Sequence, residues 1–187
     1  MEVPKVIDTK IPDVAPVYGG VRGRTLSSRH YTYAWPAIIE AGVKMVIDLR
    51  KKDRSDKYPD TCSKAGIGYF HYPVDNDPAV IDSMIELFPQ FCEIIDKGDF
   101  YISCAMGLHR TDIALCAYWV FHAADNGLEP PPIKGYRRAD GHNTDKMMRV
   151  LNVMYARMTE INGVVPIPVN VFKERKSIIN QQSRIQA

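Results

Sequence analysis

The pattern of apolar and polar residues predicts strands and helices that alternate along the chain. Nearly continuous apolar runs at 43–49 and 100–103 predict buried strands, and partial alternation at 66–74 predicts another. From 81 to 95, apolar residues recur every three or four positions, as on one face of a helix, and 110–126 predicts a further helix. Because the two kinds of element alternate, the sequence predicts an α/β fold with a central, mainly parallel sheet flanked by helices.

The remaining segments are shorter or more polar. Asp77 followed by Pro78 predicts the start of the long helix, because Asp accepts bonds from free helix amides and Pro suits the first helical position. The tail after 166 is expected to form a short helix from Phe172 or to fray. In chain order, the other predictions are a short strand at 15–21, a basic loop at 21–34, a short helix at 35–41, a polar loop at 50–60 and a helix from 143 or 144.

Length and charge narrow the class of protein. The chain has 187 residues, which suits a single domain over 1–187, with a core over about 15–160 and a C-terminal extension at 161–187. Its 24 basic and 22 acidic residues leave a net charge of +2, so general nucleic-acid binding is not expected. No uncharged run reaches the roughly 20 residues of a membrane helix. Four Cys without a CxxC pair suit a reducing compartment, and we expect a cytoplasmic protein.

The stretch 101–112 combines residues whose spacing points to phosphate chemistry. A strand is predicted to end at Ser103, Cys104 follows it, and Arg110 opens the next helix after five intervening residues. A loop between a strand and a helix N-terminus presents backbone N–H groups and a positive helix end, which together bind anions. A cysteine in such a place is stabilised as a thiolate, which is a good nucleophile. Gly107 permits a backbone shape that other residues resist.

Arg110 and Thr111 complete this arrangement. The planar guanidinium of an arginine grips two phosphate oxygens and stabilises charge as a phosphoryl group transfers. Thr111 is placed to donate a hydroxyl hydrogen bond to the sulfur of Cys104. An arginine at a helix start is unfavourable unless an anion lies near it, so a purely structural role for Cys104 and Arg110 fits this pattern less well.

The pattern Cys104-x5-Arg110-Thr111 resembles the signature of the Cys-dependent protein tyrosine phosphatase superfamily, and Gly107 matches it as well. Residues 42–50, Gly-Val-Lys-Met-Val-Ile-Asp-Leu-Arg, are similar to a strand of the dual-specificity branch and its bacterial-type members. The resemblance implies a protein tyrosine phosphatase-like fold. It also implies a phosphocysteine intermediate that is hydrolysed without a metal or other cofactor.

The resemblance covers 17–126 in the family's order. It includes an opening strand and loop at 17–22 and a segment at 71–78, which carries the general acid in the family. Cys104 and Arg110 are implied to be catalytic. The positions implied for phosphate binding are Ala105, Met106, Gly107, Leu108, His109, Arg110 and Thr111.

Two aspartates compete for the role of general acid, the group that protonates the leaving oxygen. Asp75 lies three residues before Pro78, a spacing that several family members share for this acid. Asp77 also lies in the segment and suits the cap of the following helix. We assign Asp75 as the acid, and Asp77 stays the alternative.

Two departures from the family pattern bear on the site. The family usually has His before the nucleophile, where it orders the loop, and this chain has Ser103. The loop's variable positions contain no Lys, which phosphoinositide phosphatases of the superfamily usually carry there, so a polyphosphorylated lipid is a less favoured substrate. Arg22, Arg24 and Arg29 are interpreted as solvated loop residues, with a phosphate-attracting rim as the alternative.

Three other cysteines, Cys62, Cys92 and Cys116, are expected to be packing residues or bystanders. Cys62 has a second interpretation, as a partner that resolves an oxidised Cys104. Arg137 and Arg138 lie in a loop that in the family reaches the active-site face, and a solvated loop is again the alternative.

These observations predict a phosphatase that acts on phosphotyrosine, phosphoserine or phosphothreonine in proteins, with a phosphorylated substrate as its partner. One alternative keeps the fold and changes the substrate to an inositol phosphate, a phosphoinositide or an RNA 5′-phosphate. The other is a catalytically weak module that binds phosphate on a partner. The sequence leaves the oligomeric state open.

Overall fold

The computed structural model describes residues 14–26, 33–51, 57–135, 142–162 and 169–185. These residues fall into two compact units. The first takes its residues from Met1–Pro73 and Leu87–Thr111, and the second from Val74–Glu86 and Asp112–Ala187. A sheet lies in the first unit, and two long C-terminal helices lie in the second.

The described strands are β1 (Ala15–Val17), β2 (Gly20–Arg24), β3 (Met45–Asp48), β4 (Gly68–His71) and β5 (Phe100–Cys104). They form one sheet in the order β1-β2-β5-β3-β4. β1 pairs antiparallel with β2, whereas the other three pairings are parallel. The predicted α/β fold with a mainly parallel central sheet is therefore confirmed. β5 is buried along its whole length, which explains why a continuous apolar run predicted it.

The described α-helices are α1 (Trp35–Glu40), α2 (Lys57–Lys64), α3 (Pro78–Lys97), α4 (His109–Tyr118), α5 (His142–Asn162) and α6 (Val169–Ile185). After α4 the chain forms a π-helical turn at Trp119–Ala123 and a 3-10 turn at Ala124–Asn126. Asp77 caps α3 as predicted, since its Oδ1 accepts a hydrogen bond from the N–H of Ala79 at 3.1 Å. None of the helices in the described ranges combines the length and apolar character needed to cross a membrane.

Strand β2 corrects the prediction of a basic loop at 21–34. Its sequence, Gly-Val-Arg-Gly-Arg, lacks the alternation that marks a half-buried strand. The aromatic rings of Phe100 and Tyr101 in β5 explain why β2 has glycine at two positions. A Cβ at Gly20 would lie 2.6 Å from the ring of Phe100, and a Cβ at Gly23 would collide with the hydroxyl of Tyr101. β2 therefore fits beside β5 only with small residues at these two positions, and tertiary packing overrides the local pattern.

Helix α2 corrects a second prediction, because its first turn lies in the segment 50–60 that was expected to be a polar loop. Tyr58 and Cys62, one helical turn apart, are its buried residues, with exposed fractions of 1% and 0%. Because only these two residues of the helix are buried, the periodicity of apolar positions is too weak to predict a helix from the sequence. The two side chains join a core cluster whose largest members include Leu26, Trp35, Ile38, Tyr58 and Tyr101.

In the second unit, helix α6 is longer than the short helix predicted from Phe172, since it begins at Val169. Phe172 stacks on Tyr155 of α5, with ring centroids 4.5 Å apart and planes 9° apart. The ring of Phe121 is nearly parallel to both, with its centroid 6.5 Å from that of Tyr155 and 6.2 Å from that of Phe172. This aromatic stack buries an apolar face of α6 and explains why the tail forms a helix instead of fraying.

Candidate active site

The stretch around Cys104 forms a strand, a short loop and a helix start, in the order that the sequence predicts. β5 extends to Cys104, the loop occupies 105–108, and α4 begins at His109, so the strand ends one residue later and the helix begins one residue earlier than expected. β2, β5 and β3 run parallel, and their carboxyl ends lie at one edge of the sheet. Ligands of open parallel sheets bind at this edge, in front of the strand ends.

Cys104 is held at the base of the loop. Its side chain is largely buried, with 4% of the residue exposed. The hydroxyl of Thr111 donates to Cys104 Sγ at 3.5 Å, which is the contact expected from the sequence. The backbone N–H of Gly107 donates to the carbonyl of Cys104 at 3.2 Å and closes the first turn of the loop. The sulfur is thus fixed between the strand end and the first turn of α4.

Gly107 has two structural reasons to be glycine. Its φ is +70°, in the left-handed region that residues with a Cβ rarely adopt. A Cβ at this position would also collide with the carbonyl group of Gly23 and lie 2.9 Å from the backbone nitrogen of Arg24. The loop therefore lies directly against the backbone of β2.

The contact of Arg22 with this loop was not predicted from the sequence. Its exposed fraction is 0%, so it belongs neither to a solvated loop nor to an exposed rim. Its Nη2 donates to the carbonyl of Gly107 at 3.1 Å, with a longer contact to the carbonyl of Leu108 at 3.4 Å. Arg24 is partly buried, and Arg29 lies outside the described residues. No local signal marks Arg22, because only the pairing of β2 with β5 brings it to the loop.

The other loop positions differ in exposure. Ala105 and His109 are exposed, Met106 has 45% of its surface exposed, and Leu108 and Arg110 are partly buried. Solvent thus reaches the loop and the start of α4, where backbone N–H groups have no intrahelical partner. Such an arrangement is able to bind an anion close to a nucleophilic sulfur.

The two candidate acids lie in the turn before α3. Asp75 is partly buried, and its Oδ1 accepts hydrogen bonds from the backbone N–H groups of Asn76 at 2.9 Å and Asp77 at 3.3 Å. Asp77 is engaged as the cap of α3. Asp75 belongs to the second unit and Cys104 to the first, so the role of Asp75 stays a prediction.

Solved structures provide the comparison with known proteins. A crystal structure from Shewanella putrefaciens CN-32, described as a proposed phosphatase (DUF442) and determined at 1.60 Å, matches with a TM-score of 0.55. Its sequence is 16% identical, and the match covers 79% of this chain and 91% of that one. A second structure with the same description, at 1.40 Å, matches at 0.54 with 16% identity, over 79% of this chain and 94% of that one. This chain shares their fold. No protein-family model and no curated protein sequence match it.

Asp48, Arg50 and Tyr69 form a buried polar cluster that the sequence did not predict. The guanidinium of Arg50 donates hydrogen bonds to the carboxylate of Asp48 through Nε at 2.9 Å and Nη2 at 2.6 Å. The hydroxyl of Tyr69 donates to the same carboxylate at 2.9 Å. Burial alone would lower the pKa of Arg50, but the bond and charge of Asp48 raise it overall. Asp48 and Ser103 are paired in register on β3 and β5, so the ion pair lies next to the strand that ends at Cys104.

Ser103 fills the position where the family usually has histidine. It is fully buried, and its backbone carbonyl accepts a bond from Leu49 N–H at 2.8 Å. Its hydroxyl lies close to that of Tyr58 without the geometry of a full hydrogen bond. Burial raises the pKa of Tyr58 well above its usual range, so this phenol is neutral beside the site.

The remaining cysteines are buried packing residues, as expected. Burial raises the pKa of Cys62 to about 12 and that of Cys92 to about 12, so both thiols are protonated at neutral pH. Cys116 has 1% of its surface exposed, and all four cysteines are free. Nothing within the described ranges gathers three His, Cys, Asp or Glu side chains where they could hold a metal ion. Arg137 and Arg138 lie outside the described residues.

Proposed function

We propose that this protein is a Cys-dependent phosphatase that hydrolyses phosphate monoesters through a phosphocysteine intermediate. One observation carries the proposal: Cys104 ends a buried parallel strand and is held by Thr111 at the start of a helix, across a four-residue loop. A phosphatase of this kind requires a nucleophile and an anion site within one loop length, so this geometry supports the proposal. The fold shared with a proposed phosphatase is consistent with it.

In the first step, the Sγ thiolate of Cys104 attacks phosphorus in line with the leaving oxygen. A sulfur–phosphorus bond forms, and the bond between phosphorus and the leaving oxygen breaks. Asp75 donates its proton to that oxygen, which leaves as a neutral alcohol or phenol. The loop amides and the guanidinium of Arg110 bind the three remaining phosphate oxygens, and these interactions strengthen as charge spreads over them in the transition state.

In the second step, water attacks the phosphorus of the phosphocysteine. Asp75, now ionised, accepts a proton from the water, and the sulfur–phosphorus bond breaks. Inorganic phosphate leaves and Cys104 returns to the thiolate. Two chemical steps through one covalent intermediate predict ping-pong kinetics.

The chemistry of the loop favours substrates with a single phosphate. Its variable positions hold no lysine to meet further phosphate groups, and one of the exposed positions is Met106, which is apolar. We therefore favour phosphotyrosine, phosphoserine or phosphothreonine in proteins as the substrate class. An apolar side chain at the loop edge suits contact with the carbon part of such a residue better than contact with a polyphosphate.

Hydrolysis of p-nitrophenyl phosphate between pH 5 and 8 tests the proposal. We expect turnover that vanadate inhibits and that Cys104→Ser abolishes. Cys92→Ser is the matched control, since Cys92 is buried in α3 and has no place in the mechanism. Turnover that survives in Cys104→Ser would contradict the proposed mechanism. Binding of vanadate without any turnover would instead indicate a phosphate-binding module.

A further inference from the structure

Arg22 lies in the middle of β2, in an environment where arginine is rare. Arginine is almost never fully buried unless its guanidinium is paired, because removing the charge from water is costly. Arg22 has 0% of its surface exposed. Its burial therefore requires strong partners, and two of them belong to the phosphate-binding loop.

These contacts connect residues that are far apart in sequence. Arg22 Nη2 donates to the carbonyl of Gly107 at 3.1 Å and approaches the carbonyl of Leu108 at 3.4 Å, across separations of 85 and 86 residues. Hydrogen bonds from a charged donor are roughly twice as strong as neutral ones. The two carbonyls are consecutive, so a single guanidinium fixes two adjacent peptide planes.

The geometry of the peptide group gives this contact a consequence for the substrate. In a planar trans peptide, the carbonyl of one residue and the N–H of the next point in opposite directions. The bonds to the carbonyls of Gly107 and Leu108 therefore turn the N–H groups of Leu108 and His109 away from Arg22. These are loop amides that the proposed function assigns to phosphate binding.

A second contact limits the loop from the same side. Gly107 lies so close to the backbone of Gly23 that a Cβ would collide with it. The backbone of β2 blocks movement of the loop towards the sheet, and the bonds from Arg22 oppose movement away from it. The buried positive charge also adds to the attraction that the loop offers to an anion.

We propose that Arg22 is a positioning residue that aims the amides of Leu108 and His109 at the phosphate group. The inference rests on the proposed function, because it names a further determinant of the same site. Arg22 acts through the loop and requires no contact with the substrate.

Three variants test this role: Arg22→Met, which removes the charge and the fork, Arg22→Lys, which keeps the charge, and Arg175→Met as the matched control. Arg175 is a second buried arginine, which donates to the carbonyl of Val120 and pairs with Asp125 in the second unit. It shares no partner with the loop, so its loss should affect stability and leave the loop unchanged.

The measurements are kcat/KM for p-nitrophenyl phosphate and the dissociation constant of tungstate, an inert phosphate analogue. Both are taken below the unfolding temperature of every variant. A small misplacement of the groups that position a substrate lowers the reaction rate by about 100-fold. We therefore expect Arg22→Met to lower kcat/KM by about 10- to 100-fold and to weaken the binding of tungstate by a similar factor. Arg22→Lys should recover part of both losses, and Arg175→Met should stay within about twofold of the wild type.

Equal kcat/KM and equal tungstate binding in Arg22→Met and Arg175→Met would overturn the positioning role while leaving the proposed function intact. If Arg22→Met does not fold, Arg22→Lys decides, because the lysine side chain is one atom shorter and its ammonium cannot take the place of Nη2 between the two carbonyls. Wild-type affinity for tungstate in Arg22→Lys would then count against the role. A wild-type protein that neither turns over nor binds tungstate would refute the proposed function, and the role of Arg22 with it.

Discussion

The loop at 104–111 and the turn at Asp75 are held in different ways. The loop depends on a residue far away in sequence, since Arg22 bonds its carbonyls across 85 residues and the backbone of Gly23 touches Gly107. The turn at Asp75 depends on its neighbours, because the carboxylate accepts bonds from the next two backbone amides. Local sequence is enough to form such a turn.

The loop and the turn should therefore respond to different substitutions. The shape of the loop is a property of the packed sheet, so substitutions in β2 and in the loop should change activity through geometry. The turn is held by hydrogen bonds within 75–79, so a substitution that preserves its turn and cap chemistry should change mainly the chemistry of one carboxylate. Substitutions in the loop and in the turn test this contrast.

The largest effect among them is expected at the start of α4. Arg110→Lys keeps the positive charge and loses the planar guanidinium that binds two phosphate oxygens in the proposed mechanism. Loss of one preorganised donor to transition-state charge costs about 100- to 1000-fold in kcat, and we expect a loss in that range. Arg149→Lys, an exposed position on α5, is the control. A kcat close to wild type in Arg110→Lys would remove Arg110 from the mechanism.

Asp75→Asn should reduce kcat by about 100-fold or more on phenyl phosphate, whose leaving group needs a proton, since general acids contribute about 10²- to 10⁴-fold. The loss should be much smaller on an aryl phosphate with an acidic phenol. Asn forms the same turns and caps as Asp, so thermal stability should hardly change.

Asp77→Asn is the paired variant, and it should retain nearly all activity on both esters because Asn also caps α3. Comparable losses in the two variants, or a larger loss in Asp77→Asn, would show that the acid is assigned to the wrong residue.

The contrast between local and distant contacts also explains what the sequence revealed. The loop was found because Cys104, Gly107, Arg110 and Thr111 carry a pattern within eight consecutive positions. The cap at Asp77 was found for the same reason. Strands β3 and β5 were found because a parallel strand buried on both faces is apolar along nearly its whole length.

The parts that escaped prediction are those that only pairing defines. β2 contains two glycines and two arginines, and it becomes a strand because the rings of β5 need small neighbours. α2 has only two buried residues in an otherwise polar sequence, so no periodic apolar pattern marked it as a helix. Arg22 combines both difficulties, since its strand was not predicted and its partners lie 85 residues away. The polar cluster around Asp48 likewise depends on the pairing of β3 with β4, which brings the hydroxyl of Tyr69 to the carboxylate.

A glycine pair separates backbone strain from close packing in the loop. Gly107 and Gly127 have nearly the same φ, +70° and +72°, but a Cβ at Gly107 would collide with Gly23, whereas a Cβ at Gly127 would meet no atom of the described residues within 4 Å. Alanine at either position should cost about 1 kcal/mol of stability through the left-handed backbone. Gly107→Ala should additionally lower kcat/KM by about 10-fold or more, because the loop must move away from β2. Equal activity in the two variants would mean that contact with β2 does not shape the loop.

The smallest effect concerns thiol chemistry. The pKa values of Cys62 and Cys92 are raised to about 12, so these thiols stay neutral and unreactive in the folded protein until the pH approaches that value. Iodoacetamide at pH 7 should therefore modify Cys104 alone in the native protein, as peptide mapping would show. Alkylation of Cys62 at a similar rate would contradict its buried, neutral state.

The central claim is that Cys104 receives the phosphoryl group, and the intermediate itself tests it most directly. The enzyme is mixed with an aryl phosphate, quenched in acid within the first turnovers, and mapped by mass spectrometry. The account predicts one phosphate, bound through sulfur, on the peptide that contains Cys104, and none in Cys104→Ser. Phosphate found on a different residue, or turnover that proceeds with no phosphorylated enzyme at any quench time, would contradict it.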